Sequence, residues 1–189
     1  MEQPQYSIII RERVEKEYAP LYAKYGTGLT TFSALKGGFL TGKYDNEVIP
    51  ENTRFSSSTS TDSWVSGVIA KIENKDPEII RNITISRALK VCCHFYITLI
   101  IIARKKKQKT SNPTQPIAAK LGITQGQLAL AWVIKNPNIS SAIVGASRVE
   151  QVYENMQALK AVPLLTPEIM AEIDAAAGNK PVLEPRRYD

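Results

Sequence analysis

The chain has 189 residues, 43% hydrophobic and 22% charged, the balance of a soluble globular protein long enough for one ordinary domain. Arg104, Lys105, Lys106, Lys107 and Lys109, crowded into one run, account for all but one of the net +6 charges. The basicity is therefore local, and a basic face for nucleic acid is excluded. The two cysteines, Cys92 and Cys93, are adjacent and suit neither a disulfide framework nor a metal site, so a reduced, cytoplasmic setting is expected. Met1 is followed by polar and charged residues, and no secretory signal is read there.

In chain order, residues 3–10 read as a short extended segment, with Ile8 to Ile10 β-branched and Pro4 confining its start. Val14, Tyr18, Leu21, Tyr22 and Tyr25 follow helical spacing, with Pro20 to break or restart the helix and Gly26 to stop it. Gly28 to Leu35 reads as a strand, followed by the turn-rich Lys36-Gly37-Gly38. Tyr44 to Ser63 is a long polar loop, a length often tied to function. Trp64 to Glu73 is a predicted helix. Thr124 to Asn136 is another, opened by a Thr124/Gln127 capping box, with Leu128, Ala131, Trp132 and Lys135 dividing between faces. Ser140 to Val144 is a short apolar strand. Ser147 with Glu150 suggests a second capping box, for a helix running to about Lys160. Thr166-Pro167 opens a last helix ending near Gly178.

Strands alternating with helices imply parallel pairing through helical crossovers. Only three strands are visible, and three parallel strands alone leave open edges. They are expected to belong to a larger, closed sheet.

Residues 91–115 interrupt this order. Val91 to Ala103 is almost wholly apolar, too short for the roughly 20 residues that span a bilayer, and Ile100 to Ile102 cover every helical face. Excising the segment joins Ala88-Leu89-Lys90 to Pro116-Ile117-Ala118-Ala119-Lys120-Leu121-Gly122, which restores an amphipathic pattern. A valine codon begins GT and a glutamine codon can be CAG, the terminal letters of an intron. The expectation is an anomalous insert, from a retained intron or an error in the predicted gene. A real membrane or partner segment and a variable loop are the alternatives.

From Gly145 to Asn155 a strand ends, a glycine lets the backbone turn, and a capped helix begins. Free N–H groups and the helix dipole suit a phosphate there, and Arg148 adds a full charge. Taken alone, the same spacing also describes a plain capped helix with exposed charges.

Two stretches carry a resemblance. Phe32-Ser33-Ala34-Leu35-Lys36-Gly37-Gly38-Phe39-Leu40-Thr41-Gly42-Lys43-Tyr44 is similar to the strand-seven motif of aldo-keto reductases. Gly145-Ala146-Ser147-Arg148-Val149-Glu150-Gln151-Val152-Tyr153-Glu154-Asn155 resembles their cofactor motif after strand eight. Gln3-Pro4-Gln5-Tyr6 looks like strand six, and Gly178-Asn179-Lys180-Pro181 fits the subgroup that holds potassium-channel beta subunits and their microbial relatives. The resemblance implies an α/β fold, part of a (β/α)8 TIM barrel, with strands six to eight and their helices over residues 1–189 apart from the insert. It implies NADP(H) as cofactor. Ser147 and Arg148 would meet the 2′-phosphate, and Gln151, Glu154 and Asn155 the adenosine end. Ser33 and Leu35 would face the pyrophosphate, Lys43 would pair with phosphate, and Arg54 would add a second cation from the long loop. Phe32 would lie against the nicotinamide, and Gln3 would bond its carboxamide. Ala34 stands where the subgroup usually has proline, and Lys36 where it has a small residue.

The family reduces carbonyls with NADPH, using a tyrosine general acid tuned by lysine, histidine and aspartate. Those four are expected on earlier strands that this chain lacks. No metal cluster appears, and the one histidine, His94, lies in the insert and is a poor catalytic candidate. The expected functions are the NADP(H)-binding half of a reductase acting on small aldehydes or ketones, a redox-sensing channel-beta-type regulatory subunit, or a non-functional truncated product. A homo-oligomer or channel partner is compatible with these; nucleic acid and membrane partners are not expected.

Overall fold

The computed structural model describes residues 1–51, 53–56, 62–90 and 117–183. The 91–115 insert, with Cys92, Cys93 and His94, lies outside the described residues. The arrangement is mixed α/β around a small parallel sheet.

Strands β1 (Leu29–Thr31) and β2 (Ile139–Ala142) pair in parallel. The extended segment expected over residues 3–10 is not a regular strand. It contributes one isolated parallel bridge, Gln5 with Phe32, and Glu2 just before it makes another with Leu29. The isoleucines leave the sheet because Ser7 and Ile10 close a tight turn by exchanging backbone hydrogen bonds of 3.1 and 3.0 Å. Ile8 and Ile9 are then buried, and their carbonyls accept from Asn179 Nδ2 at 2.8 and 3.0 Å. Here tertiary burial overrides β-propensity. The Gly28–Leu35 strand is likewise shorter than expected. Ser33, at φ 60°, turns into the left-handed region and ends it.

After Ser7–Ile10 the chain makes one π-helical turn, Arg13–Glu17, and then helix α1 (Ala19–Tyr25). Pro20 sits in the first turn of α1, where its missing N–H costs nothing, and Gly26 closes the helix at φ 59°. A kinked 310 segment, Lys36–Thr41, follows β1. Helices α2 (Ser63–Glu73) and α3 (Pro77–Lys90) come next, then the short α4 (Ile117–Lys120). Leu89 near the end of α3 and Ile117 and Ala118 of α4 are buried in one common core.

Helix α5 (Gln125–Lys135) opens with both halves of the Thr124/Gln127 capping box in place. Its whole Leu128–Val133 run is buried, so the helix is wrapped rather than two-faced. Helix α6 (Val149–Ala161) packs beside it, with Ala158 and Ala161 buried in the same core. Its expected cap is not Ser147. Arg148 occupies the N-cap position, and the Ser147 N–H donates instead to Gln151 Oε1 at 2.9 Å, satisfying that group from one turn ahead. Helix α7 (Pro167–Ala177) is capped by Thr166 and ends on Gly178 at φ 60°, as the spacing predicts.

Two apolar clusters organise these elements. The larger joins Tyr6, Leu29, Leu128 and Trp132 to α6 and α7. The smaller, under the long loop, stacks Phe39, Tyr44 and Phe55 at centroid distances of 5.0 to 6.2 Å, with Val65, Ile72, Ile79 and Ile83 beneath. Arg11, almost fully buried, ties the larger cluster together. It bonds Glu15 twice and Asp174 of α7 at 2.8 Å, with its guanidinium 4.9 Å over Trp132.

Candidate functional site

Two loops leave the C-terminal ends of adjacent parallel strands. In open and closed α/β sheets alike, ligands gather at that end. The first runs from Phe32 to Tyr44, and the second from Ile143 into α6.

The first loop holds an unusual backbone. Ser33 and Lys36 have φ 60° and 47°, and Gly37 and Gly38 have 65° and 99°. Such conformations each cost of order 1–3 kcal/mol for residues with a side chain, and they cluster where a fold presents backbone to a ligand. Gly38 also seats Lys43: a Cβ there would lie 2.5 Å from Lys43 Cε and 2.7 Å from its Nζ. A side chain at 38 would make the end of the lysine shift, and the φ of 99° there itself favours glycine.

Lys43, Arg54 and Arg148 converge from three separate segments. Burial of its ammonium comes first, then the charges of Arg148 and Arg54, in pushing Lys43 below the usual lysine value, although much of the residue stays exposed. None of the three forms an ion pair among the described residues. Like charges held together without acids are costly unless an anion joins them. Aromatic faces hold two of them in place. Lys43 Nζ is 5.1 Å from the Tyr44 ring centroid, and the Arg54 guanidinium is 4.9 Å from that of Trp64. Trp64 packs in turn on Phe55 at 5.6 Å.

A buried polar clamp fixes the loop from behind. Ser86 of α3 donates to Asp45 Oδ1 at 2.7 Å, and Lys90 pairs with Asp45 Oδ2 at 3.0 Å. Gln125 of α5 donates to the Ser86 carbonyl at 2.9 Å, and Arg87 donates to the Asp45 carbonyl. Asp45 stands two residues from Lys43, so α3 and α5 together set where that lysine begins.

The remaining expected residues fall in two groups. Ser33 and Phe32 lie at the mouth beside β1, with Phe32 41% exposed, a large apolar face open to a ligand. Gly145, Ser147 and Arg148 are exposed, and nothing lies within 4 Å of a Cβ built on Gly145. Its φ is ordinary, so the residue leaves room there and is not required by the turn. Gln151 and Asn155 are half-buried on α6. Leu35 sends its side chain into the core, leaving only its backbone for a ligand. Glu154 turns away, its carboxylate accepting from Thr124 Oγ1 at 2.9 Å at the start of α5. Gln3 is exposed between the two bridges, with no described contact to the cationic cluster.

A cavity of about 210 Å3 adjoins the loop, walled by Gln5, Ser33, Lys36, Gly37, Trp64 and Asn82. Asn82 Nδ2 is buried there without a hydrogen-bond partner. Lys36, the departure from the usual subgroup pattern, lies 3.5 Å from Glu78 Oε1 and so ties the loop to α3. Trp64, Asn82 and the Ser86 clamp escape sequence reasoning, because each works through residues distant in the chain, and the seat that Gly38 gives Lys43 escapes it because spacing does not show where the lysine lies. A larger cavity of about 450 Å3 lies against Arg11, Glu15, Asp174 and Lys180, but those charges pair with one another and leave little for a ligand to satisfy.

Among the described residues no group of three or more His, Cys, Asp or Glu side chains is placed to hold a metal, and no helix is long and apolar enough to cross a membrane.

The family model described as "Aldo/keto reductase family" matches residues 1–177. A rice (Oryza sativa subsp. japonica) protein named "Probable voltage-gated potassium channel subunit beta" is 38% identical over 181 residues. An Arabidopsis thaliana protein of the same name is 35% identical over 185 residues. Each match covers 96% of this chain but only 44% of the relative, so the chain spans less than half the length of either.

Proposed function

Since the chain belongs to the aldo/keto reductase family, we propose that the loops after β1 and β2 hold the phosphates of NADP(H), and that these elements are strands six to eight of a (β/α)8 barrel. The observation that carries this reading is the convergence of Lys43, Arg54 and Arg148 without acidic partners among the described residues. The residues present fit such a cofactor. The cationic cluster suits a phosphate monoester beside a pyrophosphate, and the start of α6 adds the unmatched N–H groups of its first turn. Phe32 offers a flat apolar face at the same mouth. Glu154 and Gln3 contribute only if they leave the positions described above.

When bound, the nicotinamide supplies a hydride for the reduction of an aldehyde or ketone. This chain's residues bind and orient it. Lys43 and Arg54 clamp the phosphates from one side and Arg148 from the other. The aromatic floor of Tyr44, Phe55 and Trp64 keeps two of these cations in position. The proton for the product alcohol comes from a general acid outside the described residues. The whole protein is in this reading an NADPH-dependent carbonyl reductase. The names of the plant relatives favour a second reading, a redox-sensing regulatory subunit that uses the same cofactor site and docks a channel.

Quenching of protein fluorescence by NADPH tests the shared premise. Weak binding is expected for the chain alone, with NADPH preferred over NADH and a loss of about tenfold or more for Arg148→Glu, the scale of removing a charge-assisted contact. Equal binding of the two nucleotides, or an Arg148→Glu titration identical to the parent, rejects it. Carbonyl-dependent NADPH oxidation by a full-length form then separates an enzyme from a subunit that co-purifies with a channel.

A further inference from the structure

The cavity of about 210 Å3 lies between the loop after β1 and helices α2 and α3, and none of Lys43, Arg54 and Arg148 lines it. It is a place apart from the phosphate cluster. Its walls are of two kinds. Phe39, Trp64, Val68 and Ile79 give flat or branched apolar surface. Asn82 and Lys36 give polarity that the described residues leave incompletely used. Asn82 is 2% exposed, and its Nδ2 has no hydrogen-bond partner. A buried amide left this way costs free energy until an acceptor reaches it. Lys36 has its side chain 18% exposed, and its ammonium reaches Glu78 only at 3.5 Å. Lys71 holds the same carboxylate at 2.8 Å. Two ammonium groups thus share one carboxylate, and Lys36 makes the longer, weaker contact.

A buried amide donor, an under-used cation and an apolar wall define the chemistry of an occupant. It needs acceptor oxygens for both polar groups, a negative charge and an apolar body. A neutral carbonyl would answer Asn82 and leave Lys36 without a counter-charge. A phosphate would answer both and leave the aromatic walls without an apolar partner. We infer that this cavity binds a small monocarboxylate with a flat apolar body. Its carboxylate accepts from Asn82 Nδ2 and Lys36 Nζ, and its body lies against Trp64 and Phe39. The volume suits a single ring with its carboxylate. The inference rests on the cavity and not on the NADP(H) reading.

Benzoate is the probe, quenching of Trp64 fluorescence in the full chain is the readout, and benzyl alcohol is the neutral control. Saturable quenching by benzoate is expected with an affinity of about 1 mM, the scale open to so small a ligand. Benzyl alcohol should bind about tenfold more weakly or worse. Trp64→Phe should remove the signal, since Trp132 lies in the other apolar cluster. Lys36→Gln keeps a long polar side chain without the charge and should weaken binding about tenfold. Glu78→Gln frees Lys36 from its competing carboxylate and should tighten binding severalfold, a gain that a damaged fold cannot imitate. Arg148→Glu, outside the cavity, should bind benzoate as the parent does. The inference is overturned by equal quenching from the two probes, by a signal that survives Trp64→Phe, or by a Glu78→Gln variant that binds no tighter than the parent. Loss of benzoate binding in Arg148→Glu also overturns it, by moving the acid to the phosphate cluster. Benzoate bound without NADPH would reject the cofactor reading alone, and NADPH bound without benzoate would reject this one alone.

Discussion

Helices α5 and α6 lie side by side and are similar in length, α6 the more polar, yet the apolar residues of the two meet different fates. Seven of the eleven residues of α5 are buried, while α6 buries two alanines and leaves its larger apolar residues bare. The contrast teaches that hydrophobic spacing announces a face but not who covers it. For α5 the covering elements lie among the described residues, and for the larger apolar face of α6 the described residues supply none.

Core substitutions should separate the two most sharply. Leu128→Ala on α5 should cost about 2–5 kcal/mol in urea unfolding, the range for emptying a packed leucine site. Met156→Ala on α6 should stay within about 0.5 kcal/mol, as for a surface change. Equal costs would erase the contrast.

The packed side also has an electrostatic strap. Removing Arg11, as in Arg11→Met, should cost about 3 kcal/mol by taking the cation from Glu15 and leaving Asp174 with Lys180 alone. Burial alone would raise the Asp174 carboxyl, but hydrogen bonds from Lys180 and Arg11 outweigh it and hold it below the usual range. That contribution is therefore complete above the ordinary aspartate value and disappears as pH falls through the lowered one. Asp174→Asn should flatten the acid limb of the urea midpoint against pH, and an unchanged limb would remove the strap from the account.

Caps give a smaller difference. Thr124→Ala should cost about 1 kcal/mol, whereas Ser147→Ala should cost only a few tenths, since Ser147 caps nothing in α6. Matching losses in thermal unfolding would restore the second capping box.

The finest distinction lies at Lys43. Its lowered pKa means the unfolded chain holds that proton longer, so without ligand, stability should rise as pH climbs from the lowered value to the ordinary lysine one. NADPH affinity should fall over the same interval as the ammonium is lost. Lys43→Arg should abolish both slopes, and parallel rather than opposed slopes in the parent would refute the anion site.

Local chemistry made much of the fold legible. Thr124 with Gln127, Pro20, Gly26, Thr166 and Gly178 act within a few residues of themselves, and each does what its spacing predicts. The failures are non-local. Ile8 and Ile9 are claimed by Asn179 from about 170 residues away. Ser33 ends β1 in a conformation for which serine carries no signal. In the candidate site, Arg148 and Lys43 are readable from the motifs that hold them. The Ser86–Asp45 contact, 41 residues apart, and the support of Arg54 by Trp64 leave no pattern to find.

The seat of Lys43 on Gly38 makes two positions behave as one. A methyl group at 38 touches no phosphate, yet it would lift the ammonium from its groove and change what the loop can hold. Lys43 can be exchanged with the glycine in place, whereas a side chain at 38 would both strain a backbone held at φ 99° and push the end of Lys43 aside.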